Sequence, residues 1–540
     1  MDHRWTTGLQ EAGKASSVDA QEELLGGNQL GYFLDHRTSS SGWEIPIDRP
    51  LLERVSTELG DTLWPRQSYE DIITGLQSTV AAVNRETVIS GQYKELLASD
   101  YAFPSLFTQS GWDDAVASAV GEKTEELFRR YQSLKIDKPR DRIAERLRAQ
   151  YLSDYNRHWL ALLASIHPVA CKDLKEAALA LRALTGPQSP YRELIRTVWR
   201  NLSVRLTAAE LRPLSADDNG KWLDDALSAV GEFVDAVDKF ANATDAGKRS
   251  LDLVRLQALQ GVCDGAWAKV GNALKIIESP ERRTAVSTAL ENLVVEAQRA
   301  LTAEITQEQD RLWAERVAKP FAEQLAGHYP FDLAAKAEAS LASFSHLFNP
   351  KNGLFVAASQ PIEELRKIRL VGRELLPVNR DYERMVDRAK DIREALYPDG
   401  QSAITAPFFV TLVQREGVKD VRLAVGSDTF GLYDRPDRRS SMTWKEGDGD
   451  GAKLSINVVS DQWLTQDHGG SPWGLLRLLR DGSPMPRSQG GIICSWSFSS
   501  PSVGKSATFN AGALIEAPAF EKVLMPEFFV GLLCPDHIGR

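Results

Sequence analysis

From about residue 51 to 400, apolar side chains recur at steps of three and four, the period at which one face of an α-helix meets a core. The clearest run is 223–240, where Leu223, Leu227, Val230, Val234, Val237 and Phe240 share a face and Asp224, Asp225, Glu232, Asp235 and Asp238 fall largely elsewhere. Asp217 and Asp218 precede it as candidate N-caps, because a short carboxylate can accept from the free N–H groups of a helix start. A longer helix is predicted from about Thr284 to Ala318, striped by Val286, Leu290, Leu293, Ala297, Leu301 and Ile305. Pro320 is its expected stop, since proline cannot donate the helical hydrogen bond. Glu145 to Ile166 reads as another helix. Gly186-Pro187, Ser189-Pro190 and Ser279-Pro280 punctuate the region into packed helices, and no repeat of fixed period favours a solenoid.

Near residue 400 the pattern changes. Tyr397-Pro-Asp-Gly400 closes the helical part, and strands are predicted over Phe408–Gln414 and, after a turn at Glu416-Gly417, over Val421–Val425. Leu454, Ile456 and Val458 alternate with Ser455, Asn457 and Val459, and Ile492, Cys494, Trp496 and Phe498 with Ile493, Ser495, Ser497 and Ser499, the two-residue period of a half-buried strand. Phe509 and Phe528-Phe529-Val530 read as final strands, with one short helix, Trp473 to Arg480, before them. Residues 1–50, which include Arg37-Thr-Ser-Ser-Ser-Gly42, read as a linker that is partly disordered. The expected fold class is α+β, a large multi-helix body followed by a C-terminal β-sandwich: linker 1–50, helical domains 51–200 and 201–400, sandwich 401–540.

Composition narrows the function classes. At 540 residues the chain is long enough for three to four domains, and 43% hydrophobic with 26% charged residues is a globular balance. A net charge of −10 argues against a general nucleic-acid binder, which needs a basic face to displace phosphate counterions. No apolar run reaches the length of a membrane span; the best candidate, Trp159 to Ala170, is interrupted by His167 and Pro168. Met1-Asp-His-Arg-Trp-Thr-Thr lacks the basic start and apolar core of a signal peptide, so none is expected. Cys171, Cys263, Cys494 and Cys534 form no C-x-x-C; they read as buried thiols, with Cys494 and Cys534 the pair to test for a disulfide.

Catalytic and cofactor chemistry leaves no signature, so no cofactor, metal site or enzymatic activity is expected. Gly504-Lys505-Ser506 lacks the glycine of a phosphate loop, the position being Ser499. In Glu446-Gly-Asp448-Gly-Asp450-Gly the twelfth position from Asp448 is Val459, not the bidentate glutamate of a calcium loop. His3, His36, His158, His167, His328, His346, His468 and His537 form no i, i+4 pair. There is no G-x-S-x-G, and Ser495 reads as a surface strand residue. Trp112, Trp159, Trp199, Trp222 and Trp313 read first as core anchors and second as interface anchors.

Five segments, taken in order, resemble one family. Tyr101-Ala-Phe103-Pro104-Ser-Leu-Phe-Thr108-Gln-Ser-Gly111-Trp112 is similar to the "aromatic, Pro, apolar, Phe/Tyr-Thr, Gly-Trp" segment of TssM/IcmF (VasK-like) proteins. Tyr151, Asp154, Tyr155 and Trp159 fit its "L-R-x-x-Y-x-x-D-Y-x-x-x-W" helix, and Ser189-Pro190 its "S-P-L-R" element with Tyr191 in place of leucine. Tyr329-Pro330-Phe331 and Phe344 to Gly353 resemble its "Y-P-F … F-F-x-P-x-G" segment, where His346 and Leu347 interrupt the aromatic pair. Ser471-Pro472-Trp473-Gly-Leu-Leu-Arg-Leu-Leu479 resembles its "G-P-W-A-L-x-R-L-L" helix.

The resemblance implies a structural component of the type VI secretion membrane complex, on the periplasmic face of the inner membrane. It implies a TssJ-like outer-membrane lipoprotein and a TssL-like inner-membrane protein as partners, and self-association in a ring. The matching segments are those of the family's periplasmic part; its membrane helices and nucleotide motif are not among them. The loops around Asp434–Gly451 and Gly482–Gly491 are candidate docking surfaces. Two other classes compete: an enzyme or secreted toxin whose Trp496 or Trp463 stacks on sugar, and a free-standing cytoplasmic scaffold.

Overall fold

The computed structural model describes residues 64–77, 94–133, 137–202, 204–206, 211–213, 220–243, 245–249, 251–431, 438–447, 451–458, 462–500, 507–517 and 521–540. The linker expected over 1–50 lies outside the described residues, as do Asp217 and Asp218. The chain divides into two compact units, Met1–Val80 with Ser110–Ser153, and Ala81–Gln109 with Asp154–Arg540.

The described part of the smaller unit is helical. It contains α1 (Trp64–Gln77), α2 (Ala117–Ser133) and, up to Ser153, α3 (Arg140–Ser165). Val116, Val120, Thr124, Leu127 and Tyr131 bury one face of α2 and its approach, and Ile143, Leu147 and Tyr151 bury one face of α3, at the three- and four-residue steps of an amphipathic helix. The Trp64 ring lies 5.4 Å from Tyr131, and the Arg130 guanidinium sits 4.3 Å over it as a cation–π cap.

The described N-terminal part of the larger unit is mostly helical. A short strand β1 (Leu97–Ser99) pairs with β2 (Ile166–Pro168), and α4 (Leu174–Thr185), α5 (Pro190–Leu202), α6 (Lys221–Asn242), α7 (Leu253–Ala273) and α8 (Pro280–Trp313) follow. The stripe predicted for 223–240 is buried on α6, though Gly220, with φ of 63°, occupies its N-cap position. α8 buries its predicted stripe, but Ala285, Ala289, Val294 and Ala300 are buried too, so the helix is enclosed on more than one side. Its buried carboxylate, Glu296, accepts from the backbone N–H of Cys171 at 2.8 Å and from Arg299 at 2.8 and 2.9 Å, which satisfies a charge removed from water.

Pro320 does not stop the helical run. The regular helix ends at Trp313, and the wider π turns Ala314–Ala318 and Ala322–Ala326 flank a short turn, Lys319–Phe321. The widened turns make room for a ring that would clash with a carbonyl of a regular α-helix.

After α9 (Leu341–Phe348), α10 (Leu354–Lys367) and α11 (Arg380–Leu396) come two antiparallel sheets. Their strands are β3 (Thr405–Glu416), β4 (Val418–Val425), β5 (Asp428–Gly431), β6 (Ser440–Lys445), β7 (Ala452–Val458), β8 (Trp463–Asp467), β9 (Met485–Pro486), β10 (Ile492–Ser500) and β11 (Ala507–Glu516). The five-stranded sheet runs β6-β3-β11-β10-β9 and the four-stranded sheet β8-β7-β4-β5. Alternation holds as predicted: Cys494, Trp496 and Phe498 are buried, and Ser495, Ser497 and Ser499 are exposed.

Phe528-Phe529-Val530 is helical, not a strand: α13 (Pro526–Val530) follows α12 (Gly474–Asp481) in the helical count. A strand would send Phe528 and Phe529 to opposite faces, whereas here both are buried. Beyond α13 the tail returns to the helices. Asp310 Oδ1 accepts from the N–H groups of Ile538 and Gly539 at 2.7 and 3.2 Å, Asn379 N–H donates to Ile538 O at 2.7 Å, and Trp313 Nε1–H donates to Pro535 O at 2.8 Å. The two sheets are therefore tied to the helices at both ends of their sequence. Replacing Asp310 with Ala orphans two tail N–H groups, so urea denaturation should show a loss of about 1–3 kcal/mol. Unchanged stability would contradict the clamp.

Candidate functional site

The motif residues of the larger unit gather in two places, and those of the smaller unit in one. In the smaller unit Gly111 precedes the π turn Trp112–Val116, and the ring of Trp112 lies 4.8 Å from Tyr151.

In the larger unit, Phe103, Pro104, Thr108, Asp154, Tyr155, Trp159, Ser189 and Pro190 lie on the segment before α2, on the end of α3 and at the start of α5. The Phe103 ring is 4.7 Å from Trp159, whose Nε1–H donates to Phe107 O at 3.0 Å. Pro104 precedes the short turn Ser105–Phe107, and Thr108 Oγ1 donates to Ser105 O at 2.7 Å. Tyr155 OH donates to Asn201 Oδ1 at 2.8 Å, and Asp154 pairs with Arg157 at 2.9 Å. The Ser189 hydroxyl donates to Leu184 O and accepts from Tyr191 N–H at 3.1 Å, with Pro190 opening α5. Tyr191, the departure from the family pattern, is fully buried and donates to Ile166 O at 3.2 Å; burial pushes its phenol up. His158 stacks on Phe107 at 4.0 Å against the Tyr101 hydroxyl, and burial lowers its pKa, favouring neutral imidazole.

The second place is a joint between helices and sheets. Trp473, fully buried, directs its Nε1–H to Ala339 O at 2.6 Å, and its ring lies 5.2 Å from Phe344, 5.6 Å from Trp444 and 5.8 Å from Phe529. Phe331 joins from the Tyr329-Pro330-Phe331 segment, whose Tyr329–Pro330 bond is cis, at 5.4 Å from Phe529. Glu338 binds the turn into α12: it accepts from the Ser471 hydroxyl at 2.8 Å and from Arg477 Nε at 2.6 Å, and Arg477 also covers the Tyr329 ring at 3.8 Å. Pro472 stands between Ser471 and Trp473, and the Ser471 hydroxyl accepts from Trp473 N–H at 3.2 Å. Gly353 is required sterically, since a Cβ there would meet Asn349 O at 2.5 Å. Of the residues that interrupt the expected aromatic pair, Leu347 fills core and His346 is exposed.

Sequence reasoning found Trp473 but missed Glu338, Ser471 and Arg477 as its supports; a serine two residues before a buried tryptophan was a weak turn signal, and Glu338 carried none. The expected docking loop Asp434–Gly451 contains strand β6, which pairs with β3 through Met442 and Phe408; residues 432–437 and 448–450 lie outside the described residues. The loop Gly482–Gly491 carries the edge strand β9 with Met485 61% exposed, and is held by Gly491 N–H donating to Glu521 Oε1 at 2.6 Å.

Trp496 cannot stack on sugar, because it is buried and its Nε1–H donates to Leu478 O at 2.7 Å. Trp463 is partly exposed, with the Arg422 guanidinium 4.4 Å over its ring. Trp112, Trp159, Trp222 and Trp313 are core residues, and Trp199 is half-buried. Among the described residues no group of three His, Cys, Asp or Glu side chains is placed to hold a metal ion. Residues 504–506, and Asp448 and Asp450, lie outside the described residues. Cys494 and Cys534, the pair to test, are free thiols, as are Cys171 and Cys263.

A family model described as "IcmF-related: Intracellular multiplication and human macrophage-killing" matches residues 1–203. A curated relative from Pseudomonas aeruginosa, "Type VI secretion system component TssM1", is 22% identical over 383 residues, covering 62% of this chain and 35% of the relative. The chain thus spans about a third of that relative's length. Two solved structures share the fold. "Type VI membrane complex" has a TM-score of 0.57 at 15% identity, covering 89% of this chain and 100% of the other. "Type VI secretion system membrane core complex" has a TM-score of 0.50 at 16% identity, covering 88% and 99%.

Two outcomes follow from this geometry. Replacing Glu338 with Ala removes the acceptor shared by Ser471 and Arg477, so chemical denaturation should show a loss of about 1–3 kcal/mol; a neutral result would contradict the role given to that carboxylate. Burial pushes the Cys494 and Cys534 thiols up to about 12 and the Cys171 and Cys263 thiols up to about 11. Thiolate is the reactive form, so alkylation at pH 8 should be slow in the folded chain and fast in denaturant, by mass spectrometry of the labelled peptides. Equal rates in both states would contradict it.

Proposed function

We propose that the chain is a TssM/IcmF-type structural component of a type VI secretion membrane complex and works by docking folded surfaces rather than by making bonds, a reading supported by the IcmF-related match over residues 1–203 and by the TssM1 relative. The observation that carries this reading is the joint at Trp473. It packs a helical frame against a strand-built part through a buried indole, aromatic rings and a shared carboxylate, which suits a component that holds neighbours at fixed separation. α8 alone extends about 50 Å at 1.5 Å per residue.

The partners proposed are a TssJ-like outer-membrane lipoprotein, a TssL-like inner-membrane protein and further copies of the chain in a ring, on the periplasmic face of the inner membrane. Among the described residues no helix is long and apolar enough to cross a membrane. The lipoprotein is proposed to meet the Gly482–Gly491 loop, where Met485 offers an exposed apolar side chain on an edge strand. A stable contact there would bury about 1,200–2,000 Å² in total.

The test is calorimetry of the whole chain against the soluble domain of a TssJ-like lipoprotein. Saturable binding is expected, weakened about tenfold or more by Met485→Asp, a change that places a charge in an apolar contact. Absence of binding would contradict the partner assignment, and binding indifferent to Met485→Asp would contradict the surface.

A further inference from the structure

A cavity of about 230 Å³ opens between α8, α10 and the start of α7. Its walls are apolar: Leu253, Leu312, Trp313, Pro361, Ile362 and Leu365 line it. The Trp313 indole N–H is already spent on Pro535 O. Two polar groups break the apolar lining. Gln309 is 4% exposed, and its Nε2 is buried without a hydrogen-bond partner. Buried donors are nearly always paired, so an orphan lining a cavity marks a place for an acceptor. Arg316 lines the same cavity. Its neighbours Arg311 and Lys319 are paired with Glu308, Glu315 and Glu323, whereas the Arg316 guanidinium makes no direct ion pair among the described residues, although its charge acts on Glu308.

We propose that this cavity binds a short fatty acyl carboxylate, with the chain against the apolar wall and the carboxylate accepting from Gln309 Nε2 and Arg316. The size fits: the volume is below the roughly 300–1,000 Å³ of drug-sized sites and holds about eight volumes of roughly 30 Å³, one per water in the liquid. A chain of about eight carbons fills it. The polarity fits as well, because a cation without a direct ion pair and an orphan donor select an anionic acceptor head over a neutral or cationic one. Carboxylates on the flanking helices bond other groups directly: Glu308 binds Arg311 while also feeling the Arg316 charge, Asp310 binds the tail N–H groups, and Glu363 and Glu383 bind Arg366.

The test is titration of the full chain with octanoate, octanol and octylamine by saturation-transfer NMR and calorimetry. Octanoate should bind saturably at one site, with octanol about tenfold weaker and octylamine undetectable. Arg316→Gln should weaken octanoate about tenfold and leave octanol unchanged. Ala358→Leu, which fills the cavity from α10, should abolish both; Ala357→Leu on the same wall serves if the first variant does not fold. No saturable octanoate binding, octanol as tight as octanoate, or binding unaffected by a folded cavity-filling variant would each overturn the proposal.

Discussion

The larger unit depends on burial of the Trp473 indole against helical residues. An indole of this size contributes a large apolar area, and its N–H must find an acceptor once water is gone. Ala339, in the segment between the π turns and α9, supplies that acceptor, so the ring can be satisfied only with the helices in place. Phe344 and Phe529 then complete an aromatic cluster drawn from α9 and α13. Glu338 adds direction: one carboxylate holds both the turn before α12 and the guanidinium within it. Apolar area supplies the attraction, and the carboxylate fixes how α12 is oriented.

The tail makes the same connection from the other end of the sheets. Asp310 and Trp313, on adjacent turns of α8, each hold a different part of residues 535–539. Trp473 before β9 and the tail after β11 both attach the strand-built part to the helical frame. In the proposed structural role, a partner's pull on the sheets would pass into the helices through the hydrogen bonds of the tail to α8 and the packed rings around Trp473.

Much of this was legible in the sequence, for identifiable reasons. Amphipathic runs such as 223–240 and alternating runs such as 492–499 report burial directly, because residue spacing and side-chain direction are locked together. Motif residues such as Phe103, Trp159 and Trp473 could be singled out as large aromatics in a recurring pattern. Long-range closure was not legible. Nothing near Asp310 announces that it caps a tail 228 residues later, and Glu338 resembles any exposed helix-flanking glutamate. Pro320 misled because a local rule about proline held, yet widened turns accommodated it. Phe528-Phe529 misled because short apolar runs do not distinguish strand from helix, and tertiary packing decided between them.

Native-state hydrogen exchange across a denaturant series tests the central claim most directly, that the strand-built part has no stability independent of the helices it is joined to. Amides of β10 and β11 should lose protection at the same denaturant concentration, and with the same opening free energy, as those of the Leu290–Leu301 stretch of α8. Strand amides that open well before α8, while the helices stay protected, would contradict the account.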